Sequence, residues 1–227
     1  MKKYIILSFI IIGFLTSKSQ DYVKPVSKTT NSEPTHAPDT SHIIHSHKGF
    51  YLSMALGPVF GNITDAGIDP VIGNYNITFS GTGAMFDFKI GGAVTDNLII
   101  HATLMSSSVA GPSISGNGNV FNSPNNLSIG EGMIGGGLTY YIMPSNIFLS
   151  GSIGSGLFTL DYNTISTSTQ RGFSYQLKGG KEWYVSRKWG LGIALSFSST
   201  SVNNGFSGGA ETLNSGRFAV LFNATLN

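Results

Sequence analysis

The sequence predicts an all-β protein, an antiparallel eight-stranded up-and-down transmembrane β-barrel preceded by a disordered N-terminal tail. Three observations carry this expectation. From about Gly49 to Asn227, apolar-alternating segments follow one another, joined alternately by long polar loops and very short turns, the rhythm of a barrel with long loops at one rim and tight turns at the other. Charge is scarce: 11% of residues are Asp, Glu, Lys or Arg, against about 25% in an ordinary soluble domain. Finally, each segment sets a nearly charge-free face against one of Gly, Ser, Ala and most of the strand charges. That is polar-in and apolar-out, where a soluble barrel alternates the other way.

The elements before the barrel are read first. Residues 1–19 form a secretory signal peptide: Met1-Lys2-Lys3 is a basic start, Tyr4 to Leu15 an apolar stretch, and Ser17-Lys18-Ser19 supplies the small residues flanking a cleavage site. The apolar run falls well short of the ~20 residues a helical span requires. The chain has no cysteine, which excludes a lipid-anchored N-terminus, a disulfide framework and any thiolate metal site. With Lys2, Lys3 and Lys18 removed, ten basic residues face eleven acidic ones, and no basic patch remains to argue for nucleic acid.

Residues 20–48 read as a flexible polar linker, expected in the periplasm. Pro25, Pro34 and Pro38, with many Ser and Thr, leave too little apolar surface to offset the entropy of ordering. His36, His42, His45 and His47 lie here. Without carboxylate or cysteine partners at fixed geometry they read as a polar tail and not a metal site.

Residues 49–227 form the barrel. The first strand runs near Phe50 to Phe60, with Phe50, Leu52, Met54 and Leu56 on one face and Tyr51, Ser53, Ala55 and Gly57 on the other. The second runs near Gly83 to Val94, with Phe86, Phe88, Ile90 and Val94 opposite Asp87, Lys89 and Gly91; Thr95-Asp96-Asn97 turns tightly into the third, near Leu98 to Ser106. The fourth, near Leu127 to Ile142, sets Ile134, Leu138, Tyr140 and Ile142 against Glu131, Met133, Gly135, Gly137 and Thr139. Pro144 ends it, and the fifth runs near Ile147 to Leu160. The sixth, near Gly172 to Val185, carries Gln176, Lys178, Glu182 and Tyr184 on its inner face. After Ser186-Arg187-Lys188 the seventh runs near Trp189 to Ser199, with Leu191, Ile193, Leu195 and Phe197 outward, and the eighth closes the chain with Phe218, Val220, Phe222 and Leu226 outward. Four long segments, near Asn62–Ser80, Ser107–Asn126, Asp161–Gln170 and Val202–Ser215, are rich in Gly, Ser, Thr and Asn and are expected outside the cell, mobile and tolerant of insertion. Aromatics near strand ends predict two interfacial girdles: Phe50, Tyr140, Tyr141, Phe148, Trp183, Tyr184 and Trp189 at the short turns, Phe60, Phe158, Tyr162 and Phe173 at the long loops.

In architecture the chain resembles the small eight-stranded outer-membrane barrels of the OmpA/OmpX type. The resemblance rests on Gly49-Phe50-Tyr51-Leu52 with Leu56-Gly57-Pro58, on Gly135-Gly136-Gly137-Leu138-Thr139-Tyr140-Tyr141 and on Trp189-Gly190-Leu191-Gly192. It covers about Gly49 to Asn227. It implies a monomer in the cell outer membrane, in contact with outer-membrane lipid and inserted by the barrel-assembly machinery. The chain departs from such barrels at its end, where Phe222 is the last aromatic before Ala224-Thr225-Leu226-Asn227.

Chemistry inside the expected lumen is sparse. Asp87, Lys89, Glu131 and Lys178 fall at similar depth below the long-loop rim, with Glu182 lower and Arg217 higher. Three acids and three bases in an eight-stranded interior, just wide enough for side chains, read as a plug of mutual pairs, Lys89 with Glu131 among them; the functional alternative is a polar gate. His101 is the sole barrel histidine and has no acidic neighbour in sequence, so it reads as a satisfied lumen residue and not the base of a nucleophile–base pair. No enzyme, catalytic residue, cofactor or metal is expected. The expected function is a structural or surface-interaction role through the four long loops, with a possible extracellular partner. The alternatives are a minor pore for small solutes and a secreted lipocalin-like barrel holding a small apolar ligand.

Overall fold

A computed structural model describes residues 49–69, 73–116, 119–206 and 209–227 of the chain; the signal and linker segments lie outside these. Eleven strands form one antiparallel sheet: β1 (Phe50–Asp69), β2 (Gly73–Ala93), β3 (Leu98–Ala110), β4 (Ser113–Gly116), β5 (Asn119–Asn122), β6 (Leu127–Ile142), β7 (Ile147–Tyr162), β8 (Ile165–Ser168), β9 (Gly172–Tyr184), β10 (Trp189–Phe206) and β11 (Gly209–Leu226). Each barrel strand pairs with the next, and β1 pairs with both β2 and β11. Eight strands therefore close into a barrel with no free edge: β1, β2, β3, β6, β7, β9, β10 and β11.

The side-chain faces follow the period-two reading. Leu195 is 67% exposed while Ala194 beside it is 1%, and Phe86, Ile90, Ile100, Leu138, Leu149, Leu177 and Phe222 join Leu195 on the outer wall. A belt of exposed Leu, Ile and Phe around a closed barrel, with charged side chains turned inward, is the surface of a protein dissolved in hydrocarbon. It also removes the lipocalin-like alternative, which needs an apolar interior and a charged exterior. Lys181 is the outward cation of this wall; it lies near the short turns, 5.6 Å from the Trp183 ring centroid, where a long side chain reaches the interface.

The short turns have local causes. Thr95 Oγ1 accepts from the backbone N–H of Leu98 at 3.2 Å, and Ser186 Oγ from that of Trp189 at 3.1 Å. Between β6 and β7, Ser145 Oγ donates to Ile142 O at 2.8 Å, and Asn146 takes a left-handed φ of 53°, a conformation asparagine tolerates.

The opposite rim corrects the sequence reading. The segment Asn62–Ser80 is not a loop: β1 and β2 continue upward as a paired ladder from Asn62↔Ser80 to Asp69↔Gly73. Val202–Ser215 is likewise mostly strand, with β10 and β11 paired up to Phe206↔Gly209. Within Ser107–Asn126, β3 runs on to Ala110 and β4 and β5 form a hairpin whose inner strand pairs with β2. Within Asp161–Gln170, β8 folds back onto β7. Turn-forming Gly and Asn hid Ile63, Thr64, Ile68, Tyr75, Ile77, Thr78 and Phe79, the β-branched and aromatic residues that sustain these strands.

Three aromatics leave the girdle. Tyr141, Phe148 and Phe158 face inward and are buried, because each lies at odd register from the outward Tyr140, Leu149 and Leu157. Glycine lets β6 and β7 approach closely: a Cβ at Gly135, Gly137 or Gly154 would come within 2.0 to 2.2 Å of a carbonyl oxygen on the partner strand.

Candidate functional site

All six charged residues singled out from sequence, Asp87, Lys89, Glu131, Lys178, Glu182 and Arg217, lie buried in the barrel interior. Period two put them on the inner face; closure of the sheet then brought strands far apart in sequence across the lumen from one another. The interior is filled in levels, beginning at the short-turn end.

The lowest level is aromatic. Tyr51, Ile99, Tyr141 and Phe148 are buried in one apolar cluster, with the rings of Tyr141 and Phe148 5.8 Å apart. Against it Glu182 accepts from Tyr141 Oη at 3.3 Å, from Thr225 Oγ1 at 2.7 Å and from Asn223 Nδ2.

The middle level is held by Asp87. Lys178 Nζ donates to its Oδ2 at 2.7 Å, and Lys89 Nζ lies 3.3 Å from its Oδ1. Lys89 crosses the barrel to donate to Ser152 Oγ at 3.1 Å and Gln176 Oε1 at 2.8 Å. Lys178 also donates to Asn223 Oδ1 at 3.1 Å, which ties this level to Glu182, and its Nζ sits 5.7 Å from the Phe148 ring centroid. His101 is at this height. Its Nδ1 and Nε2 are each 3.0 Å from a hydroxyl, of Thr103 and Thr139, and its side chain is buried. No carboxylate among the described residues makes a hydrogen bond to it.

The upper polar level belongs to Glu131 and Arg217. Arg217 Nε is 3.1 Å from Glu131 Oε2, and its Nη1 donates to Ser107 Oγ at 2.7 Å. Thr200 Oγ1 donates to Glu131 Oε1 at 2.6 Å. The expected Lys89–Glu131 pair is therefore replaced by two separate groups, Lys89 with Asp87 and Lys178, and Glu131 with Arg217. Met85, Met105 and Met133, from β2, β3 and β6, are buried in the same apolar cluster as the aromatic floor.

Two further levels lie above the charges. Ile63, Val109, Ile129, Phe158, Val202 and Leu213 form a buried apolar cap above the charges. Over the cap, Tyr75 Oη donates to Glu211 Oε2 at 3.0 Å and to Asp65 Oδ1 at 3.4 Å, binding β1, β2 and β11 at the rim. Partial burial, then the nearby Glu211 carboxylate, push the Asp65 carboxyl above its ordinary value. A cavity of about 220 Å³ lies between cap and rim, lined among others by Asp65, Phe79, Phe158, Asn204 and Glu211. The signal for both levels is inward parity, carried by Ile129 and Phe158 within expected strands and by Ile63, Asp65, Tyr75, Val109, Val202, Glu211 and Leu213 within segments expected as loops.

Chemically the interior is a set of ion pairs and hydroxyl networks between two apolar seals. Such pairs favour one packed arrangement, since leaving either member alone is costly. Among the described residues no cluster of three or more His, Cys, Asp or Glu could hold a metal ion.

No protein-family model matches this chain, and no curated protein matches it in sequence. Among solved structures it is similar to Neisserial surface protein A (TM-score 0.48, 12% identity, 78% of this chain and 96% of that one). It is also similar to the outer membrane protein OprG from Pseudomonas aeruginosa (TM-score 0.49, 12% identity, 81% and 99%), and to the outer membrane protein AlkL in lipid bilayers (TM-score 0.46, 14% identity, 88% and 96%). The barrel rests on its own closed register and not on these distant similarities.

Proposed function

We propose that this chain is a monomeric integral outer-membrane protein whose role is structural or surface-interactive, exercised at the rim that carries the strand extensions. The observation that carries the reading is the series of buried side chains that cross the lumen, from the aromatic floor through two ion-paired levels to the apolar cap. An eight-stranded interior is just wide enough for its own side chains, which disfavours the pore alternative. The rim, in contrast, projects surface. Ile68, Val120, Phe121 and Ile165 on the extensions are all more than 60% exposed, and β5 ends the strand order with an unpaired edge, a backbone surface that another chain can join.

Short turns belong to the periplasmic rim of outer-membrane barrels, so the extensions face outward and the N-terminal tail lies in the periplasm. Two measurements test the reading. Membrane fractionation with epitope labelling of intact cells should recover the protein in the outer membrane, with a tag at Gly116 accessible and a tag at Asn97 silent; the reverse pattern overturns the orientation. Planar-bilayer recording of the purified barrel should show no steady conductance, and reproducible unitary currents would replace this reading with the pore.

A further inference from the structure

The ion-paired lumen leaves one stretch of its wall unmatched. Lys89 Nζ donates to Gln176 Oε1 at 2.8 Å, and an ammonium has no acceptor, so this contact fixes which end of the amide is oxygen. Gln176 Nε2 must then point elsewhere, and it has no hydrogen-bond partner; nor do Ser196 Oγ and Ser198 Oγ. All three residues are at most 2% exposed. They are also neighbours in the sheet: Ser198 stands opposite Gln176 on β9 and opposite Arg217 on β11, and Ser196 opposite Lys178.

Buried donors left without partners are costly, and three lie together here on adjacent strands. Their electrostatic setting is one-sided. Lys178 and Arg217 share this wall, and Lys89 reaches it from across the barrel. Asp87 and Glu131, which pair with these cations, come from β2 and β6 on the other side of the sheet order. Lys89 and Lys178 share the single carboxylate of Asp87, while Glu182, the third acid, is engaged by Tyr141, Asn223 and Thr225. An occupant of this stretch meets an amide N–H, two hydroxyls and adjacent positive charge.

We propose that the β9–β10 wall holds a small inorganic anion of halide size, bound by Gln176 Nε2, Ser196 Oγ and Ser198 Oγ. The ion would complete the hydrogen bonding of this stretch and act as an internal structural ligand. Bromide is the probe. Full-length barrel refolded and crystallised in sodium bromide should show an anomalous peak in contact with Gln176 Nε2 and the two serine hydroxyls. Gln176→Glu keeps an oxygen for Lys89 and turns the free donor into an acceptor, so it should abolish the peak; Ser198→Ala should weaken it. In lipid vesicles at constant ionic strength, exchanging gluconate for bromide should raise the urea midpoint of the wild type. Above saturation of the site, each tenfold rise in bromide should raise the folding equilibrium constant tenfold. Gln176→Glu should be insensitive to the exchange; if that variant does not fold, Ser198→Ala, with a reduced bromide response, makes the comparison. Ordered water without anomalous signal at this position in the wild type would overturn the proposal. So would a bromide peak or a midpoint shift that persists unchanged in both variants, which would mark an adventitious ion only.

Discussion

Breaking the Glu131–Arg217 pair tests the paired lumen most directly. The two groups lie 3.1 Å apart with both side chains at most 2% exposed. At an effective dielectric of about 20, opposite charges at that separation attract by about 5 kcal/mol, and the desolvation of both ions consumes much of it. Removing one member is a different matter, because the survivor stays buried without its counter-charge, which costs about 3–5 kcal/mol. Glu131→Gln would strand Arg217 beside Ser107, and Arg217→Met would leave Glu131 with Thr200 as its hydrogen-bond donor. Each variant should lose about 3–5 kcal/mol, and the double variant should lose less than the sum by about 1–3 kcal/mol. Urea unfolding in lipid vesicles, followed by the emission of Trp183 and Trp189, measures all four corners of the cycle. A second cycle, Lys89→Met with Glu131→Gln, joins residues in different groups and should be additive within about 0.5 kcal/mol. Additivity in the first cycle, or strong coupling in the second, would refute the assignment of partners.

Other expectations follow from the faces. Leu195→Arg places a cation on the lipid wall at mid-strand and should cost about 2–4 kcal/mol, while Ala194→Ser, on the lumen side, should cost little; equal losses in vesicle unfolding would mean the faces are reversed. Phe148→Ala opens a cavity in the aromatic floor and should cost about 3–5 kcal/mol, clearly more than Phe222→Ala on the outer wall. At the rim, the raised Asp65 value means that the folded state holds this proton more tightly than the unfolded chain does. Stability is therefore lost as pH rises from the ordinary carboxylate range through the raised value. Amide exchange in the upper β1–β2 hairpin should quicken over that window beyond its intrinsic pH dependence, and Asp65→Asn should remove the excess.

The strands and their faces were legible in the sequence because period two leaves little freedom. A slip of one residue turns Leu195 into the lumen and Ala194 out to lipid, so the near absence of charge on one parity settles the assignment. The same parity would have placed Tyr141, Phe148 and Phe158 inside. They were drawn into the girdles by their nearness to strand ends, a weaker criterion than register. The upper rim failed for another reason. Asn62, Gly67, Asn74 and Asn76 signal a turn in isolation, yet each pairs here in a ladder that the barrel below has already aligned, and propensity yields to that alignment.

Membership of the charged site was legible, but its pairing was not. Depth counted in residues below a loop makes Lys89 and Glu131 level and Arg217 higher. Two physical facts break that count. The rim itself was misplaced, because β2 begins at Gly73 and not near Gly83, so the strands did not share the starting line assumed for them. A barrel strand also tilts and the register shears around the wall, so residues equally far from their loops do not face one another across the lumen. Arg217 is opposite Gly61 on β1 and Ser198 on β10, and from there its guanidinium reaches Glu131 on β6 and Ser107 on β3. Lys178, which shares the middle level with Lys89, lies on β9 and meets Asp87 on β2. Each of these contacts crosses the interior between strands that are not neighbours in the wall. Composition and period say that such charges will be inside; only the closed register decides which acid each base finds.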